Sequence, residues 1–229
     1  MKGLPLPGRS EVIGTVITAE FMGKLGRARL ALPCDRVELR VDGFPDFPNW
    51  PQIGKQIEQR GTPVIATIRL GREGGKWTRA DSDRWPLFER ALAELSSVDI
   101  ELESELTGHV SKECKKLGKL CIVSHHDFEK TPHFAEMHEI IRRAQQFGGI
   151  AKIAAKADTQ EDVANLRKLL QEDWKRPICV IGMGALGRDT RLQFPREGSC
   201  FAYGYLDTPG APGQFSAEEL TGHLKGARG

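Results

Sequence analysis

Eight short apolar stretches recur along the chain, at residues 12–18, 36–42, 63–69, 98–103, 120–125, 149–154, 177–182 and 199–206. Most are runs of Val, Ile, Leu and Cys rather than clean polar/apolar alternations, as expected for strands covered on both faces, the habit of parallel sheets. The intervening segments mostly switch to helical spacing. Residues 48–60 carry Trp50, Ile53 and Ile57, and residues 83–95 carry Trp85, Phe88, Leu92 and Leu95. Residues 133–147 set Phe134, Met137, Ile140, Ile141 and Ala144 on one face. Residues 159–174 open with Thr159 and Asp162 spaced as in a capping box, and Ser216-Ala217-Glu218-Glu219 opens a last helix in the same way. Strands alternating with helices predict βαβ units. Eight such units predict a single α/β domain over residues 1–229, a (β/α)₈ TIM-type barrel. Its first helix is expected to be shortened: residues 22–33 contain Gly23, Gly26 and Pro33, leaving only 27–32 for a turn or two.

Composition narrows the function classes. The 229 residues carry 33 Lys plus Arg against 31 Asp plus Glu, a net charge of +2, which gives no electrostatic case for nucleic acid or a membrane surface. No apolar run approaches the length that spans a bilayer. Met1-Lys2-Gly3-Leu4-Pro5-Leu6-Pro7 lacks the apolar core of a secretion signal. Cys34, Cys114, Cys121, Cys179 and Cys200 form no C-x-x-C pair. They read as reduced thiols of a cytoplasmic protein, with neither a disulfide nor a zinc framework.

Barrel chemistry sits at the C-terminal strand ends, and there this chain is rich in charge. Glu38 and Arg40 alternate with apolar residues, so both face the barrel interior if the apolar ones face the helices. Arg69 ends the third strand, with Glu73 in the loop beyond, and Glu101 and Glu103 end the fourth. Lys152 lies inside the sixth strand among Ile150, Ala151, Ile153, Ala154 and Ala155. Desolvation disfavours an ammonium and yields an amine that can attack a ketone; the plainer reading is a strand-edge lysine reaching outward. Ser124-His125-His126-Asp127 supplies a general acid or base, with Glu73 or Glu101 as its orienting carboxylate; the plainer reading is a surface loop. Adjacent histidines point apart on a strand and no third ligand is spaced for them, which argues against a metal. Gly182-Met183-Gly184-Ala185-Leu186-Gly187 matches G-x-G-x-x-G, but no nucleotide-binding half follows it, so a flexible loop is expected. Arg40, Arg69 and Arg191 together could clamp an anion. The turn from Pro209 to Gln214 could place Gln214 over the mouth.

These motifs, in this order, resemble type I 3-dehydroquinate dehydratases over nearly the whole chain. The resemblance rests on Val37-Glu38-Leu39-Arg40-Val41-Asp42, Thr67-Ile68-Arg69, Glu73-Gly74-Gly75 and Val98-Asp99-Ile100-Glu101-Leu102. It continues through Ser124-His125-His126-Asp127-Phe128, Lys130-Thr131-Pro132, Ala151-Lys152-Ile153-Ala154, Thr190-Arg191 and Ala211-Pro212-Gly213-Gln214. It implies a cofactor-free and metal-free cytoplasmic lyase of the shikimate pathway, commonly a homodimer, with 3-dehydroquinate as substrate. Lys152 would form an imine with the C3 ketone, His126 (the histidine directly before Asp-Phe) would move protons, and Glu73 would position it. Glu38, Arg40, Arg69, Arg191 and Gln214 match substrate-binding positions, and Thr18 replaces another family serine. Two departures stand out: Thr190 replaces a common serine, and Gly210 stands where many members have a serine that contacts substrate.

Two rivals remain on the sequence alone. A class I aldolase would share the interior lysine but cleave a carbon–carbon bond. A barrel that binds without catalysing would most simply have lost Lys152 or His126, and both are present.

Overall fold

A computed structural model of the chain describes residues 4–5, 8–27, 31–210 and 214–225. Most of the N-terminal heptapeptide, residues 28–30 and Ala211-Pro212-Gly213 lie outside the described residues.

The eight strands are β1 (Glu11–Val16), β2 (Arg36–Arg40), β3 (Val64–Thr67), β4 (Ser97–Glu101), β5 (Leu120–Asp127), β6 (Ile150–Lys156), β7 (Ile178–Met183) and β8 (Phe201–Tyr205). All pairs are parallel, in the order β7-β6-β5-β4-β3-β2-β1-β8. No ladder joins β7 to β8 among the described residues. That seam is stitched instead by the Cys200 N–H donating to the Ile178 carbonyl at 2.9 Å and by the Val180 N–H donating to Ser199 Oγ at 3.0 Å. The result is a nearly closed (β/α)₈ barrel, as the strand count predicts.

The helices are α1 (Ala19–Arg27), α2 (Trp50–Gln59), α3 (Trp85–Glu94), α4 (Thr107–Leu117), α5 (Phe134–Gln146), α6 (Gln160–Gln171), α7 (Gly184–Glu197) and α8 (Ala217–Lys225). Thr159 caps α6 in a full capping box with Asp162. Three segments differ from expectation. At nine residues α1 is short, but it lies earlier than residues 27–32: Thr18 Oγ1 accepts the Phe21 N–H at its start, and Met22 and Leu25 are buried one turn apart. Its Gly26 backs onto Ile53, where a Cβ would sit 2.9 Å from Ile53 Cδ1, so glycine lets α1 approach α2.

The helix α4 has no apolar stripe in sequence, because small polar Thr107 and Ser111 share its buried face with Val110 and Cys114. The glycine-rich segment after β7 is the first turn of α7 rather than a flexible loop. A Cβ on Gly187 would lie 2.4 Å from the Gly182 carbonyl carbon, so both glycines serve close helix–strand packing.

Side chains alternate across each strand, and this decides what enters the barrel. A larger apolar cluster packs the outer strand faces against the helices, Leu39, Val123 and Ile153 among its members. Ile13, Ile65, Ile122, Ile150 and Phe201 belong to a second cluster within the barrel. On top of that inner floor come the polar members of the same inward rows. These are Glu38 above Arg36, Asp99 above Ser97, Ser124 and His126 above Ile122, and Lys152 above Ile150.

Candidate active site

One cavity of about 130 Å³ opens at the C-terminal strand ends. Thr15, Glu38, Arg40, Arg69, Glu73, His126, Lys152, Arg191, Tyr203 and Gln214 all line it. The expected site residues therefore converge from six strands and their following loops, with the exception of Thr18.

Lys152, only 5 % exposed, occupies the middle of β6 beside Ser124 on β5. Its Nζ donates to Asp99 Oδ2 at 2.9 Å and lies 4.4 Å from the centre of the Tyr203 ring. The apolar neighbours seen in sequence belong partly to the outer face; on the inner face the amine has a buried carboxylate partner. Burial alone would push the Asp99 carboxyl upward, yet Arg69 and Lys152, with hydrogen bonds from Ser124 and Lys152, hold it well below the usual carboxylate range.

The second unit is His126 with Glu73. Oε2 of Glu73 meets His126 Nδ1 at 2.9 Å and accepts the His126 backbone N–H at 3.0 Å. Glu73 is delivered by a 3-10 turn, Gly71–Glu73, that follows β3. The turn needs its two glycines: Gly74 has φ +76° and lies under Phe128, and a Cβ on Gly75 would fall 1.9 Å from the Arg69 carbonyl oxygen. Burial pushes the Glu73 carboxyl up to about 7, against the downward pull of Arg69. Burial, then the positive charges of Arg69, Lys152 and Arg40, hold the His126 imidazole well below its usual value. Both members thus favour their neutral forms, and the imidazole is uncharged at neutral pH. Its neighbour His125 points to the other face of β5, outside the cavity, and Phe128 stacks on the His126 ring at 6.4 Å.

The remaining polar groups differ in how far their bonds are already committed. Glu38 accepts from Thr15 Oγ1 at 2.9 Å and Thr67 Oγ1 at 2.8 Å. Arg40 is bidentate to Asp42, at 3.0 and 2.8 Å. Arg69 lines the cavity, but its guanidinium bonds Asp99 at 2.8 Å and Ser124 at 2.7 Å and lies 3.4 Å from Glu101. Arg191 differs. Its guanidinium makes one long bond, 3.5 Å, to the Tyr203 carbonyl, and no carboxylate pairs with it among the described residues. Gln214 Oε1 accepts the Gly210 N–H at 2.7 Å, which leaves its amide donors for the cavity.

Two candidates turn out to be structural. Thr18 does not line the cavity: β1 ends at Val16, and the Thr18 hydroxyl donates to Asp207 at 2.9 Å while capping α1. Glu101 lies behind the cavity, taking Arg84 at 2.6 Å and the Leu70 N–H at 2.8 Å, so Glu73 alone reaches the histidine. Asp99, Ser124, Thr15 and Tyr203 were not singled out from sequence. Asp99 carried a signal, since it alternates with Glu101 on the inward face of β4. Among the described residues no group of three or more His, Cys, Asp or Glu is arranged to hold a metal, and no helix is long and apolar enough to cross a membrane.

The fold and the cavity define a (β/α)₈-barrel protein with a buried lysine, a histidine–carboxylate pair and an uncompensated arginine gathered at the strand ends. Its sequence places it more narrowly. Residues 19–227 match the type I 3-dehydroquinase family, and the chain belongs to that family. It is 36% identical over 200 residues to the 3-dehydroquinate dehydratase of Methanocella arvoryzae, covering 87% of this chain and 89% of that one. To the Hydrogenobaculum enzyme of the same name it is 38% identical over 189 residues, covering 81% and 85%. Among solved structures, the Aquifex aeolicus 3-dehydroquinate dehydratase superposes with a TM-score of 0.79 at 33% identity, covering 94% of this chain and 97% of that one. The Clostridium difficile type I enzyme, solved with covalently modified comenic acid, gives a TM-score of 0.84 at 26% identity, covering 96% and 92%.

Proposed function

We propose that the chain is a 3-dehydroquinate dehydratase of the shikimate pathway that removes water from 3-dehydroquinate through an imine on Lys152. The observation that carries this reading is the placement of Lys152 and the His126–Glu73 pair on adjacent strands at one cavity floor. An amine and a neutral imidazole within one site suit a β-hydroxy ketone. The substrate's α-proton is too weakly acidic to leave without an electron sink, and a protonated imine is such a sink.

In the proposed sequence the neutral Lys152 amine adds to the C3 ketone, and the carbinolamine takes up one proton from solvent at its hydroxyl and expels water to give the protonated imine. His126 Nε2 removes the α-proton, and the electron pair flows into the imine to give an enamine. The enamine pair then expels the β-hydroxyl, to which the His126 imidazolium returns the proton, so that water leaves. Hydrolysis of the imine releases 3-dehydroshikimate and restores Lys152. Glu73, accepting the Nδ1 hydrogen, keeps the Nε2 lone pair directed into the cavity; such a proton relay contributes about 10² to 10⁴-fold. Arg191 has room for the substrate carboxylate because no protein carboxylate occupies it. The amide of Gln214 reaches the same ligand, while Glu38 and Arg40 face its hydroxyl groups. A cytoplasmic homodimer is the assembly expected of the family, which sedimentation velocity measures.

Incubation with 3-dehydroquinate and sodium borohydride, followed by intact mass and peptide mapping, tests the reading. An adduct on Lys152, absent in Lys152→Ala together with turnover, is the expected result. Adduct with a ketose phosphate but not 3-dehydroquinate would replace it by an aldolase reading.

A further inference from the structure

Asp99 is bonded asymmetrically. Its Oδ1 is occupied by Arg69 at 2.8 Å and by the Ser124 hydroxyl at 2.6 Å, whereas its Oδ2 takes Lys152 at 2.9 Å. One oxygen is clamped from the end of β3 and from β5, which leaves the other aimed at β6. The Tyr203 ring bounds Lys152 Nζ from β8. A lysine side chain has four rotatable bonds, and these contacts reduce its reach to one position at the cavity floor.

We propose that Asp99 is a positioning residue for the dehydration: it aims the Lys152 nitrogen into the cavity and remains beside it as counter-charge when that nitrogen becomes a protonated imine. The proposal rests on the imine reading above. An ammonium and a protonated imine carry the same unit charge on the same nitrogen, so one fixed carboxylate serves both. The ammonium must pass one proton to solvent at the open cavity mouth before the amine attacks, and the carboxylate that held it stays in place. A buried ion pair is by itself weak evidence of a stabilising role, since apolar replacements often do as well. A buried pair at the wall of the reactive cavity therefore calls for a role in the chemistry.

Other groups around Nζ bear on its proton without matching this contact. Arg40 and Glu38 on β2, and Arg69 and Glu73 after β3, line the same cavity. Glu101 stands behind Arg69, engaged with Arg84. His126, Cys179 and Tyr203 face the same space from β5, β7 and β8, and burial favours the neutral form of each. Asp99 is the carboxylate in direct contact with Lys152 among the described residues.

The test is Asp99→Asn, with borohydride trapping of 3-dehydroquinate followed by mass across about pH 5 to 9 beside steady-state kinetics. Removing a negative charge in direct contact favours the neutral amine by about one pH unit or more. The adduct is therefore expected still to form on Lys152, with its pH midpoint moved down by at least about one unit. Misaimed by loss of the pair, the variant is also expected to lose roughly 10²-fold in kcat with little change in KM. A purely structural aspartate would leave the midpoint in place, and an unshifted midpoint in a folded Asp99→Asn protein would overturn the proposal. If that variant does not fold, Asp99→Glu keeps the charge and moves it by one methylene. The midpoint should then hold while kcat falls, and wild-type kcat in Asp99→Glu would overturn the proposal too. Absence of any adduct in the wild-type protein would remove the imine reading and this proposal together, whereas a wild-type adduct with an unshifted Asn variant would remove this proposal alone.

Discussion

A single oxygen, Glu73 Oε2, holds His126 twice, through the ring Nδ1 at 2.9 Å and through the backbone N–H at 3.0 Å. The backbone bond fixes the strand against the turn, and the side-chain bond fixes which ring nitrogen faces the cavity. With Glu73 protonated, its O–H donates to Nδ1 and the ring hydrogen sits on Nε2, leaving no imidazole lone pair facing the cavity. Loss of one proton from the pair reverses this and frees the Nε2 lone pair.

That reversal predicts the pH profile. Burial raises the Glu73 carboxyl to about 7 and keeps the imidazole neutral below its usual range, so the active form accumulates as pH rises. In the wild-type protein kcat/KM should climb through about pH 7. Glu73→Gln should lower it by about 10²-fold or more and flatten that limb. A limb that persists unchanged in the variant would assign it to another group.

The two histidines should separate cleanly. His126→Ala is expected to form the borohydride-trapped adduct on Lys152 yet lose about 10² to 10⁴-fold in turnover. His125→Ala, whose side chain lies outside the cavity, should turn over nearly as wild type. The reverse pattern in a paired assay would exchange their roles.

Arg191 should act through binding. A charge-assisted hydrogen bond contributes about 1.5–3 kcal/mol, so Arg191→Ala should raise KM by roughly 10 to 100-fold. Its kcat should fall less, because the guanidinium is remote from Nε2 and Nζ in role. Unchanged KM in a steady-state assay would relocate the carboxylate site.

The Glu-Gly-Gly turn should be intolerant of one methyl group. At Gly75 a Cβ would lie 1.9 Å from the Arg69 carbonyl oxygen, so the turn must move and carry Glu73 with it. Gly75→Ala should cost about 1–3 kcal/mol in thermal or urea unfolding and a larger share of activity, since a displacement near 1 Å at a catalytic group costs roughly 10²-fold. Wild-type activity in the variant would mean that the turn has slack.

The barrel was legible because eight buried strands announce themselves as apolar runs, and the inward charges because period-2 alternation places Glu38 with Arg40 on one face. Other elements were hidden for physical reasons. The helix α4 buries Thr107 and Ser111, which read as solvent-facing residues, and α7 begins in glycines that pack a helix on a strand but read as a loop. Thr18 read as a strand-end ligand because the extent of β1 was overestimated by two residues, from Val16 to Thr18. Asp99 was visible as an inward acid, but its contact with Lys152 spans 53 positions of chain and is fixed only when the barrel closes. Local pattern specifies which face a residue takes; closure specifies whom it meets there.

The seam between β7 and β8 divides the site mechanically. Lys152, His126, Asp99 and Glu38 all ride on the unbroken ladder from β2 to β6. Arg191 follows β7 and Gln214 follows β8, on opposite lips of a seam that, among the described residues, is joined by isolated bonds rather than by a ladder. If Arg191 and Gln214 hold the substrate as proposed, movement of the lips would shift them while Lys152 and His126, on the adjacent paired strands β6 and β5, keep their spacing.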